Sequence, residues 1–336
     1  MISSMTRKSI DNFDLKQVKA GEKASFELVF DREVKEGFIP VNVIKGQKEG
    51  KTLLVLGGVH GDEYEGIQTI IQVFRDLSVT DITGTLVMIP VVNVSSYING
   101  TRTTGVDGEN LARAFPGDSN GNFTSRLAWH LHETFIRNAD FLLDLHSGGT
   151  HYAMPALVGY YYDSNSQISQ ISKAAAEAFG MKVIWGHEQV GPGRTISSAL
   201  SLNVPWLYTE GYGGKRIKRE EQKQYEIGVY RLLNYLSLLT VPNKWVNEPK
   251  EEIEFRLLGD GNLDKAAFAE KDGFFIPSVN LLDEVKTNDR VGILYDLFGN
   301  KLQWIMAEKP GVVVMLRETP FTNKGDGLYA LAEIEN

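Results

Sequence analysis

From Thr52 to about Leu239, short apolar runs alternate with amphipathic stretches, and this alternation is the strongest restriction on what the chain can fold into. Strands are expected at 53–57, 85–90, 141–145, 183–185 and 206–209, and helices at 63–77, 125–137, 164–179, 195–202 and from about 219 onward. A βαβα order of this kind calls for a sheet covered by helices on both faces, a doubly wound α/β domain. Before it, Ser25-Phe-Glu-Leu-Val-Phe30 and Phe38-Ile-Pro-Val-Asn-Val-Ile44 read as edge strands within residues 1–50.

Val241-Pro-Asn-Lys-Trp245 breaks the last helix, and the pattern then changes. Residues 274–334 carry no amphipathic helix but short apolar strands set apart by Gly, Pro, Asn and Asp turns, the mark of an all-β module. Two stretches of it, Lys286-Thr-Asn-Asp-Arg-Val-Gly-Ile-Leu294 and Phe321-Thr-Asn-Lys-Gly-Asp-Gly-Leu328, each place a polar turn before an apolar strand, as in a pseudo-symmetric sandwich. The expected division is an α/β domain over 1–245 and a small all-β domain over 246–336.

Composition narrows the chemistry. With no cysteine among 336 residues, disulfides, thiolate metal sites and cysteine nucleophiles are excluded. The net charge of −8 and the scattered lysines and arginines argue against a nucleic-acid or basic membrane-binding face. The mixed-sign run from Lys215 to Lys223 is a solvated helix face. The N-terminus has no apolar core like that of an export signal and no run is long enough to span a membrane, so a cytoplasmic location is expected.

Gly57-Gly-Val-His60-Gly-Asp-Glu63 sets a histidine and a carboxylate three residues apart where a strand runs through glycines into a helix. A second strand, Phe141-Leu-Leu-Asp-Leu-His146, also ends in histidine. Ends of parallel strands share one edge, where open α/β folds place their sites, so His60, Glu63 and His146 are expected around one zinc ion per chain. Glu210 closes the segment Val204-Pro-Trp-Leu-Tyr-Thr209 on the same edge and is the candidate general base. The long loop from Asn99 to Gly117 carries Arg102 and Arg113, and Arg194 follows Gly193; guanidinium groups suit an oxyanion or a carboxylate. His151 and His187 lie in loops able to touch substrate. His130 and His132, at i and i+2 of one helix, are read as structural. No Gly-x-Ser-x-Gly elbow, Walker A sequence or strand-placed Gly-x-Gly-x-x-Gly is present.

Four segments, Gly57-Gly-Val-His60-Gly-Asp-Glu63, Asp107-Gly-Glu-Asn110-Leu-Ala-Arg113-Ala-Phe-Pro-Gly117, Asp144-Leu-His146-Ser-Gly-Gly149 and Val204-Pro-Trp-Leu-Tyr-Thr-Glu210-Gly211, together resemble the succinylglutamate desuccinylase/aspartoacylase family of the zinc carboxypeptidase superfamily. The resemblance covers roughly residues 40–215 and extends to the β module. It implies a mixed sheet of zinc-carboxypeptidase type with a lipoyl-like C-terminal sandwich. It further implies zinc on His60, Glu63 and His146, Glu210 as general acid/base, and Arg102 and Arg113 on the substrate; Asn110, Arg194 and His151, read from their places in the loops, are further candidate substrate contacts. The family's Asp-Leu-Asn-Arg is here Asn110-Leu111-Ala112-Arg113, so Arg113 stands without the asparagine that helps hold a substrate carboxylate. Ala307-Glu-Lys309-Pro310-Gly311 does not match a modified-lysine turn, and no covalent cofactor is expected. The expected activity is removal of an acyl group from an N-acylated amino acid or related amine. The alternatives are a metallocarboxypeptidase acting on short peptides and a non-catalytic ligand-binding protein on the same fold. A small-molecule N-acyl partner is implied, and a homo-oligomer is compatible with the chain. The acyl group, the amine and the choice of zinc over cobalt or manganese stay open.

Overall fold

The computed structural model describes residues 5–335. Its main sheet runs, edge to edge, through Thr6–Ser9, Glu22–Val29, Phe38–Lys45, Thr85–Ile89, Thr52–Gly57, Phe141–Leu145, Trp206–Glu210, Leu157–Tyr161, Val183–His187 and Phe255–Leu258, and continues into Gly327–Ile334 and Gly311–Arg317. The four strands from Thr85–Ile89 to Trp206–Glu210 are mutually parallel. Phe141–Leu145 is buried at every position and Thr52–Gly57 at all but its first. Both faces of these strands are covered, which is why their sequences read as unbroken apolar runs rather than alternating ones.

The two faces take alternate residues. Leu53, Val55, Leu143 and Leu207 pack beneath the helices Glu65–Asp76, Gln167–Phe179 and Arg219–Tyr235, through Ile70, Phe179 and Tyr225. Leu54, Leu56, Leu142 and Trp206 face Leu127, Leu131 and Phe135 of the helical run 123–138, and Ile196 and Ala199 of Thr195–Ser201. His130 and His132 belong to that run; His132 bonds the Ser198 hydroxyl and His130 packs edge-on to Trp129.

Two expectations change. The first helix begins at Glu65 rather than at 63, so His60 and Glu63 lie in the turn that precedes it. Leu157–Tyr161 is a strand beyond those expected, antiparallel to Trp206–Glu210 and parallel to Val183–His187. The division at residue 245 is also not a division of hydrogen bonding. Phe255–Leu258 pairs in parallel with Val183–His187 and antiparallel with Gly327–Ile334, so one sheet passes from the α/β layer into the β module.

In the module a four-stranded sheet, ordered Lys301–Met306, Arg290–Tyr295, Gly273–Pro277 and Phe321–Thr322, faces the end of the long sheet across Phe275, Val291, Leu294, Val313, Leu316 and Leu328. The two sequence-related turns are built alike: the Lys286 N–H donates to the Asp289 carboxylate at 2.7 Å, and the Asn323 N–H to that of Asp326 at 2.8 Å. Among the described residues no helix is long and apolar enough to cross a membrane.

Candidate active site

Thr52–Gly57 has Thr85–Ile89 on one side and Phe141–Leu145 on the other, so successive crossovers leave it in opposite directions. That reversal opens a crevice at the strands' C-terminal ends. Register brings the ends level, since Gly57 and Thr209 both pair with Leu145, and the residues just beyond are the turn that carries His60, then His146 and Glu210. The turn packs tightly on the helix Val94–Asn99: a Cβ at Gly61 would lie 2.0 Å from the carbonyl carbon and oxygen of Ser96. Glycine is required there by close approach.

His60, Glu63 and His146 converge, with one ligand atom from each within 4.8 Å of the others. His60 Nδ1 lies 2.7 Å from Glu63 Oε1, and His146 Nδ1 lies 2.8 Å from Glu63 Oε2. The outer nitrogens fix the tautomers. His60 Nε2 faces the Asn110 side-chain oxygen at 3.2 Å, and His146 Nε2 faces Asp144 Oδ2 at 2.9 Å. Both partners accept, so each ring carries its proton on Nε2 and turns the Nδ1 lone pair toward the carboxylate. Two lone pairs aimed at an anion need a cation among them, either a proton or a metal ion, and a His–Glu–His set with carboxylate- and amide-oriented imidazoles has the chemistry of a metal site. Burial opposes ionisation of Glu63, but the charges of His60 and His146 outweigh it and hold its carboxyl well below the usual range. Burial likewise opposes the His146 cation, yet Asp144 and Glu63 raise its value well above the ordinary one.

Glu210 opens partly onto the same cavity, while its Oε2 is sealed from solvent and has no partner among the described residues. Burial, and after it the charge of Glu63, pushes its carboxyl up to about 8. Arg102 Nη1 donates to Glu63 Oε1 at 3.2 Å, which places a guanidinium beside the ligand cluster.

The cavity is lined by His60, His146 and Glu210 on the sheet side and by Arg102, Arg113 and Arg194 at its rim. Arg113 holds Asp264 of the β module with both prongs, Nε to Oδ2 at 3.0 Å and Nη2 to Oδ1 at 2.7 Å. Arg194 Nη2 donates to the Asn262 side-chain oxygen at 2.8 Å. Asn110 caps the turn after it, accepting from the Ala112 N–H at 2.9 Å, and thereby steers His60. His187 lines the cavity, whereas His151 does not. The expected pocket position of His151 is corrected: its ring bonds the Thr319 hydroxyl at 3.0 Å and its carbonyl accepts from the Glu318 N–H, which tie it to the β module.

Several contributors went unassigned from sequence. Asp144, two residues before the strand-end His146, shares its side of the sheet by the two-residue period, a signal that was available. Thr195, whose hydroxyl bonds Asp144, and Tyr208, Asp260 and Asp264 carried none.

The succinylglutamate desuccinylase/aspartoacylase catalytic domain model matches residues 49–236. The chain is 28% identical over 302 residues to the N-alpha-acetyl-L-2,4-diaminobutyric acid deacetylase of Halomonas elongata, covering 88% of this chain and 86% of that protein. A succinylglutamate desuccinylase/aspartoacylase structure from Rhodobacter sphaeroides superposes with a TM-score of 0.84 at 26% identity, over 97% of this chain and 98% of that one. The product-bound ectoine utilization protein EutE (DoeB) from Ruegeria pomeroyi shares the fold, with a TM-score of 0.81 at 23% identity over 92% and 93% of the two chains.

Proposed function

The chain belongs to the succinylglutamate desuccinylase/aspartoacylase family, and on that premise we propose that it is a metal-dependent amidohydrolase that removes the acyl group from an N-acylated amino acid. The observation that carries this reading is the convergence of two imidazole lone pairs, the Glu63 carboxylate and an unpaired Glu210 carboxyl on one cavity. His60 and His146 through Nδ1 and Glu63 through its carboxylate would hold a zinc ion. Bound there, zinc supplies a Lewis acid for the amide carbonyl and makes water easier to deprotonate at neutral pH.

The remaining work falls to the chain. Burial and the charge of Glu63 raise Glu210 to about 8; the positive charge of a bound metal ion would lower it toward the range in which a carboxylate can both take and return a proton. It takes the proton of the attacking water and delivers it to the leaving nitrogen. Arg102, already against the ligand carboxylate, offers N–H groups to the oxygen that gains charge as the carbonyl becomes tetrahedral. Asp144 and Asn110 keep the two imidazoles from turning. Arg113 and Arg194 line the rim, where the amino-acid portion of the substrate enters. The acetylated diamino acid named for the Halomonas relative is one member of this substrate class.

The test pairs metal analysis with turnover. Protein loaded with zinc is assayed against a panel of N-acyl amino acids and short peptides, next to Glu210→Gln. The variant is expected to keep its metal and to lose about 10²- to 10⁴-fold in kcat, the range for removing a general acid/base. Near wild-type rates in the variant would remove Glu210 from the mechanism, and cleavage of the peptides in preference to the acyl amino acids would overturn the deacylase reading.

A further inference from the structure

Part of the cavity lining, Asp260, Gly261 and Leu263, comes from the β module, and its chemistry differs from that of the rim. Two of the three rim guanidiniums are already engaged by the β module, Arg113 by the two oxygens of Asp264 and Arg194 by Asn262, with Asp264 at 3.5 Å, while Arg102 lies against Glu63 beside the catalytic cluster. Ala112 lines the cavity and brings no amide to it. Against this reduced capacity for anions, the module places one carboxylate on the wall, that of Asp260.

Asp260 is fixed by its neighbours in sequence. His187 Nδ1 donates to the Gly259 carbonyl at 2.9 Å, and Gly261 lies against the same ring, where a Cβ would come within 2.5 Å of His187 Cε1. The aspartate between these two anchored glycines turns one oxygen to the Asn262 N–H at 3.0 Å. The other meets Lys265 Nζ at 2.5 Å, and that lysine side chain is 65% exposed and stands outside the cavity lining. A lysine so solvated holds its partner weakly. Trp185 and Tyr208 line the same space, and aromatic faces favour cations. A carboxylate held in place by rigid neighbours, with a displaceable partner and aromatic surroundings, is a receptor for an ammonium group.

Resting on the deacylase reading, we propose that Asp260 is a specificity-determining residue that binds a second, positively charged nitrogen on the amine half of the substrate, so that the preferred class is N-acylated diamino acids and related N-acyl diamines. The cation displaces Lys265 into solvent and sits between Asp260 and the aromatic wall. The acyl carbonyl remains at the metal ligands and Glu210. A substrate with an additional carboxylate in place of that ammonium would face Asp260 with like charge.

The experiment compares zinc-loaded wild type with Asp260→Asn on two substrates that differ by one ammonium, Nα-acetyl-L-2,4-diaminobutyrate and N-acetyl-L-2-aminobutyrate. Calorimetric titration of the two free amino acids, 2,4-diaminobutyrate and 2-aminobutyrate, gives a second readout that needs no turnover. Wild type is expected to prefer the cationic substrate by roughly 10- to 100-fold in kcat/KM, the size of one charge-assisted hydrogen bond, with N-acetyl-L-aspartate poorer than either. In Asp260→Asn the cationic preference falls toward one, and tighter binding of the diamino acid over the monoamino acid is lost with it. A wild-type preference below about twofold, a preference for the anionic substrate, or a preference undiminished in Asp260→Asn overturns the assignment. If neither acetyl compound is hydrolysed while the diamino acid still binds more tightly in an Asp260-dependent way, the deacylase reading falls and the cation site stands. If hydrolysis proceeds with no Asp260-dependent selectivity, the reverse holds.

Discussion

His187 fastens the β module to the active-site wall, and the burial that makes it useful makes it vulnerable to acid. The ring is 2% exposed, donates from Nδ1 to the Gly259 carbonyl and accepts at Nε2 from the Tyr208 hydroxyl at 2.7 Å. Desolvation, opposed in part by the Gly259 carbonyl and Asp260, lowers its value from 6.5 to about 4. The unfolded chain therefore takes up the proton before the folded one. Stability from this group is complete above pH 6.5 and drains as pH falls toward 4. At about 1.4 kcal/mol per pH unit the full loss is about 3 kcal/mol, of which about 2 kcal/mol is gone by pH 5. Protonation also turns Nε2 into a donor facing the Tyr208 hydroxyl, which removes the acceptor that the phenol uses. Urea unfolding of wild type and His187→Gln at pH 7 and pH 5 isolates the effect, because the other five histidines titrate in both proteins. The variant is expected to start about 1 kcal/mol lower at pH 7 for its weakened hydrogen bonds, and to lose about 2 kcal/mol less than wild type between the two pH values. Equal losses in the two proteins would refute the claim that His187 is held neutral by burial.

Asp144→Asn keeps an oxygen for the Thr195 hydroxyl but gives up the charge that orients His146, and is expected to weaken zinc binding by about 10- to 100-fold in competition with a chromophoric chelator. An unchanged affinity would show that the ring is oriented by other contacts. Gly61→Ala drives a methyl group into the Ser96 carbonyl, a backbone atom that has no rotamer to escape through, and should cost about 1–3 kcal/mol. The loss reads out as a lower Tm together with reduced metal content, because the displaced turn carries His60 and Glu63; a variant with wild-type Tm would mean that the turn is free to move.

The strand-and-helix alternation was legible because its cause is local. A strand buried on both faces must be apolar throughout, and a helix on such a sheet must be apolar on one side, so both leave their periods in the residues themselves. Leu157–Tyr161 leaves little trace because Leu-Val-Gly-Tyr-Tyr is short, has a glycine at its centre and shows no period of two; its place comes from pairing with Trp206–Glu210 and Val183–His187. The start of the first helix was placed two residues early because the turn of His60 and Glu63 is shaped by its packing on Ser96, a contact made across 35 residues of chain.

The same boundary runs through the site. Strand ends and glycine turns, written in consecutive residues, were enough to expect His60, Glu63, His146 and Glu210 at one edge of the sheet, since a parallel sheet has only one edge at which such ends can gather. Which imidazole nitrogen faces Glu63, where Arg113 and Arg194 spend their hydrogen bonds, and that His151 turns away to Thr319 were decided by the folded molecule. So was the wall that Asp260 contributes. These depend on residues 50 to 170 positions apart meeting at 3 Å, and the period of a strand or helix carries no record of such encounters.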